Sequence, residues 1–176
     1  MNFFNLATVG LLFLLIPLSG QTQNLPITDF VLFGGNGTSP AGATVPASPG
    51  YVVQIGSSSS VTGGAIGSYV LVCTTGPVSL GGNVNSGGKV ALANSNTVTG
   101  KVTAANSANL TGTIFSSGSS SNISGNIDVK GNVVVSGGTV SGAVTHPTGT
   151  TYTGPYPVGG NIIGVLLYLF FLYCRL

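Results

Sequence analysis

The feature that most constrains this chain is a recurring five-residue phrase: an apolar residue, any residue, glycine, any residue, an apolar residue. It reads LGGNV at 80–84, VTGKV at 98–102, LTGTI at 110–114, ISGNI at 123–127, VKGNV at 129–133 and VSGAV at 140–144. The central glycines are Gly82, Gly100, Gly112, Gly125, Gly131 and Gly142; their spacings of 18, 12, 13, 6 and 11 each fall within one of a multiple of six. A short period repeated this often marks a chain wound into stacked, near-identical rungs. Two apolar positions four apart lie on one face of a strand. The glycine between them shares that face, where it would let the backbone approach a narrow interior. Glycine and β-branched residues dominate, and no 3.6-residue pattern holds, which disfavours helix. The expected fold is all-β: a single-stranded β-solenoid (β-helix) with an N-terminal capping strand.

The repeats occupy the middle of the chain. Residues 1–20 read as a signal peptide, with LLFLLI at 11–16, a break at Pro17 and small residues at Ser19 and Gly20 before Gln21. Residues 21–50 are expected to hold a cap strand, LPITDFVLFGG at 25–35, and a Gly/Pro/Ser loop. A solenoid needs such a cap because its terminal rung otherwise exposes apolar surface and unpaired backbone. The solenoid is expected over 51–146, and the Pro/Gly-rich stretch 147–161 as an extended linker. The apolar tail, 162–176, has three open readings: a short membrane anchor, a removable lipid-anchor signal, or the product of a frame change in a fragment. Membrane contact is expected only through the terminal apolar segments.

The chemical inventory is thin. Charged residues make up 3% of the chain: Asp29, Asp128, Lys89, Lys101, Lys130 and Arg175, with one histidine, His146, and no glutamate. A net charge of +2 supplies no basic field for nucleic acid. Asp29 and Asp128 form the only carboxylate pair available, several rungs apart, which disfavours glycosidase chemistry. His146 reads as an exposed residue where the winding stops, and Asp128 and Lys130 as outward groups on one strand. Cys73 reads as a small buried apolar residue. FGGNG at 33–37 lacks the Lys-Ser/Thr pair and the helix that a phosphate cradle needs. One His, two distant acids and one body Cys make no zinc site. No catalytic residue, metal or cofactor is expected, and the chain is read as a non-enzyme.

Two Thr-x-Thr pairs, Thr97/Thr99 and Thr111/Thr113, suggest a hydroxyl-bearing strand face that could meet ice or polysaccharide, although threonine is also simply a good strand residue.

The run ISGNIDVKGNVVVSGGTVSGAV at 123–144 resembles the bactofilins, bacterial β-helical proteins that polymerise end to end. The phrases ITDFVLFGG (27–35), IGSYVLV (66–72), VALANSNTVTGKVTAANS (90–107) and GNIDVKGNVVVSGGTVSGAVTHPTGTTYTGP (125–155) are similar to the N-terminal β-helical regions of large secreted Bacteroidota surface proteins associated with gliding motility and type IX secretion. That resemblance implies a secreted or cell-surface, adhesin-like protein with no assigned catalytic residue. The expected role is a structural spacer, with extracellular polysaccharide or cell-surface components as partners. Two alternatives stand beside it: a binding module using a Thr/Ser/Asn-rich face, and an end-to-end polymer.

Overall fold

A computed structural model describes residues 29–34, 52–104 and 112–164. Eighteen short strands in the described residues form three parallel sheets, and each strand pairs with those three places before and after it in the chain, except that β18 pairs with β16, two places before it. Sheet A contains β1 (Phe30–Gly34), β4 (Ala65–Ser68), β7 (Val84–Ser86), β10 (Val102–Ala104), β13 (Ile127–Val129), β16 (Val144–His146) and β18 (Asn161–Ile163). Sheet B contains β2 (Val52–Ile55), β5 (Leu71–Thr74), β8 (Lys89–Leu92), β11 (Thr113–Ser117), β14 (Asn132–Val135) and β17 (Tyr152–Thr153). Sheet C contains β3 (Ser59–Val61), β6 (Val78–Leu80), β9 (Thr97–Val98), β12 (Ser121–Ile123) and β15 (Gly138–Val140). One strand from each sheet makes a coil, and the coils stack into a β-solenoid.

The register gives the coil length. Along sheet A, Ile66 pairs with Val84, Val84 with Val102, Val102 with Ile127, Ile127 with Val144 and Val144 with Asn161, steps of 18, 18, 25, 17 and 17 residues. Three faces of about six residues thus account for the period. The one long step contains residues 105–111, so Thr111 and the start of the LTGTI phrase lie outside the described residues.

Alternation within each short strand sorts side chains inward and outward. Ile66, Val84, Val102, Ile127 and Val144 form one fully buried column on sheet A; Val72, Val90, Phe115 and Val133 form another on sheet B; Leu80, Val98, Ile123 and Val140 form a third on sheet C. Burying each of these side chains is worth about 1.5–3 kcal/mol. No coil closes its own ladder, so this gain is available only when neighbours stack.

The glycine phrase is a corner, not a strand. In LGGNV, Leu80 ends β6 on sheet C and Val84 begins β7 on sheet A; both point inward, but from different strands. The glycine does not face the interior. A Cβ on Gly82 would lie 2.0 Å from the Gly64 carbonyl oxygen of the preceding coil. Gly100 stands in the same relation to Gly82, Gly125 to Gly100 and Gly142 to Gly125, so these residues form a column along which backbone packs directly on backbone. Gly112 and Gly131 belong to the corner between sheets A and B. There Gly131 faces Ile114, whereas Gly112 has open space but a φ of +90°, which glycine alone adopts readily.

Two boundaries differ from the sequence reading. The capping strand is present as β1, but it also pairs in parallel with β4 as the first rung of sheet A. Phe30 and Phe33 lie over Gly67 beside Tyr69, with ring centroids 5.1 Å (Phe30–Phe33) and 5.3 Å (Phe33–Tyr69) apart. At the other end, 147–161 is not a linker: β17 joins sheet B beside β14, and β18 joins sheet A beside β16. Prolines punctuate this stretch but fall at corners, where no ladder N–H is needed.

Candidate functional site

The ionisable groups do not converge. Among the described residues, no group of three or more His, Cys, Asp and Glu side chains is placed to hold a metal ion. Asp29 precedes β1 and is exposed. Asp128, on the outer face of β13, lies 2.5 Å from the Lys101 Nζ of the preceding coil. Lys130 follows β13 at the next corner, so the expected Asp128/Lys130 face is in fact an Asp128–Lys101 pair between coils.

His146 differs from expectation. It is 1% exposed, because it ends β16 at an inward position, in the column that runs through Ser68, Ser86, Ala104 and Val129. The Thr150 hydroxyl donates to the Pro147 carbonyl at 2.7 Å, so its oxygen is left to accept from His146 Nδ1–H at 2.9 Å. That places a proton on Nδ1 and leaves Nε2 in the core without a partner. Asp128 faces outward on the adjacent strand, so the strand wall separates it from the imidazole.

Cys73 also departs from its reading. It alternates with the buried Val72 and Thr74, which places it on the outer side of sheet B, half-buried. Desolvation raises its thiol above the usual value.

A second set of polar residues ties the coils together. The Asn83 side-chain oxygen accepts the Lys101 N–H at 2.9 Å, Asn126 accepts Ala143 N–H at 3.0 Å, and Asn132 accepts Thr151 N–H at 2.9 Å. Each asparagine directly follows a phrase glycine. The Gly-Asn pair therefore does two jobs: the glycine lets coils approach, and the asparagine bonds the backbone of the next coil. Sequence reasoning passed over these asparagines, although their place after Gly82, Gly125 and Gly131 was the available signal. Asn96, 0% exposed at a corner between sheets B and C, donates through Nδ2 to Ala93 O at 2.6 Å and Asn94 O at 3.3 Å.

The three outer faces differ in chemistry. Sheet A carries Asn85, Thr103, Asp128 and Thr145, and Asn85 and Thr103 line a small cleft of about 20 Å³ beside Phe30 and Phe33. Sheet B carries Gln54, Cys73, Ala91, Ser116, Val134 and Thr153 in one register. Sheet C carries Ser60, Ser79, Thr97, Asn122 and Thr139 in one register, all exposed. Thr62, Gly81, Thr99, Ser124 and Ser141 follow two residues on and are also exposed. Backbone bonds from Gly81, Thr99, Ser124 and Ser141 N–H to Val61, Leu80, Val98 and Ile123 O continue the ladder through this second column. The structure thus keeps Thr97 and Thr99 on one face but separates them from Thr113, which begins β11 on sheet B.

No helix among the described residues is long and apolar enough to cross a membrane. No family model, curated protein or solved structure matches the chain.

Proposed function

We propose that this solenoid is a secreted structural element, a spacer within an adhesin-like bacterial cell-surface protein. The observation that carries the reading is the unbroken parallel ladder. Sheet A alone runs through seven strands, which at about 4.8 Å per rung makes a stack roughly 30 Å tall. Every described coil is bonded to its neighbours, and its dry core is a set of parallel columns. Such a stack resists bending because displacing one coil breaks ladder bonds on three sides at once. The apolar stretch 11–16 followed by Pro17, Ser19 and Gly20 supports export. The low charge leaves Ser, Thr and Asn to keep the surface wetted.

The test is expression of the full chain in a bacterial host with cell fractionation, mass spectrometry of the N-terminus and analytical ultracentrifugation. The proposal expects a mature chain beginning at Gln21 outside the cytoplasm and a monomer. Cytosolic retention with the first twenty residues intact would remove the secreted role. Long filaments would replace the spacer by the end-to-end polymer.

A further inference from the structure

The outer face of sheet C gathers small neutral hydrogen-bonding side chains more strictly than the other two faces, beyond what wetting a spacer calls for on one side. Its first column, Ser60, Ser79, Thr97, Asn122 and Thr139, is exposed in five successive coils, and Thr139 Oγ1 donates to Asn122 Oδ1 at 2.9 Å. The second column is equally exposed and small. Over these five coils neither column contains an aliphatic, aromatic or ionisable side chain; in the next coil Val158, whose N–H bonds Val140 O, continues the second column, and it and Tyr156 two residues before it are exposed. The charges of the described residues lie elsewhere: Lys89 opens β8 on sheet B, and Asp29, Lys101, Asp128 and Lys130 belong to sheet A and its corners. Sheet B, by contrast, turns Ala91 and Val134 outward at the same positions. The segregation is therefore particular to sheet C.

Strand pairing fixes the geometry of the face. Rungs stand about 4.8 Å apart, and residues two apart on a strand are about 6.7 Å apart. The result is a shallow grid of groups that both donate and accept hydrogen bonds. It offers no ion pair to a charged ligand, and its only apolar area is the exposed Tyr156 ring and Val158 side chain at one end. Its complement is a neutral surface whose own hydroxyls recur at a short, regular interval. We infer that sheet C binds an insoluble neutral polysaccharide, with extended glycan strands laid along the stack and successive sugars meeting successive rungs. Ice also presents periodic hydroxyls. The unequal reach of Ser, Thr and Asn fits the uneven hydroxyls of a glycan better than the flat lattice of ice. This site is additional to the spacer role and does not depend on it.

The experiment is co-sedimentation of the full chain with microcrystalline cellulose and with insoluble chitin. Three proteins are compared: wild type, a Thr97→Lys/Asn122→Lys variant on sheet C, and a Gln54→Lys/Thr153→Lys variant that adds the same charge to exposed positions of sheet B. Circular dichroism checks that all three keep their strand content. The inference expects wild type and the sheet B variant to be retained on at least one solid. Retention should persist in about 1 M NaCl, where charges are screened within about 3 Å. The sheet C variant should lose retention by about tenfold or more, as burying two uncompensated ammonium groups against a neutral solid requires. Four results would overturn it: no retention on either solid, equal retention of the sheet C variant, loss of retention in salt, or inhibition of ice recrystallisation without glycan retention.

Discussion

Replacing Gly125 by alanine inserts one carbon between two coils that leave no room for it. The added Cβ would sit 2.3 Å from Gly100 O, 2.5 Å from Gly100 C and 2.7 Å from Lys101 N. Real Cβ atoms essentially never come closer than 3.0 Å to such neighbours, so the coils must separate locally by about 0.7 Å or more. All three neighbours are backbone atoms, which cannot rotate aside as a side chain would. Overpacking a core usually costs about 1–3 kcal/mol. Here the displaced Lys101 N–H is bonded to Asn83 Oδ1, and the next residue along each coil makes the ladder bond from Val102 N–H to Asn126 O, so we expect Gly125→Ala to cost at least about 3 kcal/mol. Two other glycines serve as internal controls. At Gly63 there is open space but a φ of +85°, so alanine pays only left-handed strain of about 1–2 kcal/mol. At Gly56 there is open space and ordinary backbone, and alanine should stabilise by about 0.4–1 kcal/mol through the unfolded chain. Urea unfolding followed by circular dichroism reads all three. A Gly125→Ala variant within about 0.5 kcal/mol of wild type would refute the backbone-on-backbone account of the column.

Three further outcomes follow from the same geometry. Asn126→Ala removes the acceptor of the Ala143 N–H at an exposed corner and should cost about 0.5–1.5 kcal/mol in urea unfolding. His146→Leu removes a buried Nε2 that has no partner, while Thr150 keeps its bond to Pro147 O; stability should rise by about 1 kcal/mol, the orphan's cost less the lost histidine–threonine bond. Burial raises both the Cys73 thiol and the Tyr152 hydroxyl, so the fold favours their neutral forms. Their contribution is complete below the usual values near 9.0 and 10.0 and is lost as pH climbs through the raised ones, so the melting temperature should fall in alkali. Cys73→Ala should remove the thiol's share of that fall, and Cys73 should alkylate more slowly than a free thiol at the same pH.

Much of this architecture was legible in order of residues alone, and the reason is repetition. In a solenoid each coil meets only its neighbours, so the same local problem is solved many times and the solution shows as a period. Leu80, Val84, Val98, Val102, Ile123, Ile127, Val140 and Val144 declare the core because every coil needs an apolar residue at those places. The all-β class, the six-residue face and the inward pointing of these residues therefore came from the chain itself. What the period leaves open is where the chain turns. A spacing of four is compatible with two positions on one strand and with two strands meeting at a corner, and only the three-sheet pairing decides for the corner at Gly82, Gly100, Gly125 and Gly142. The same ambiguity hid the outward side of Cys73, the buried place of His146 and the coil formed by 147–161. It also hid the separation of Thr97 and Thr99 from Thr113, since these threonines look alike in a line but Thr113 falls on a different face once a coil takes about 18 residues. Composition and period fix what must be buried; the closing of each coil, a contact between residues far apart in the chain, fixes which side every remaining residue presents to water.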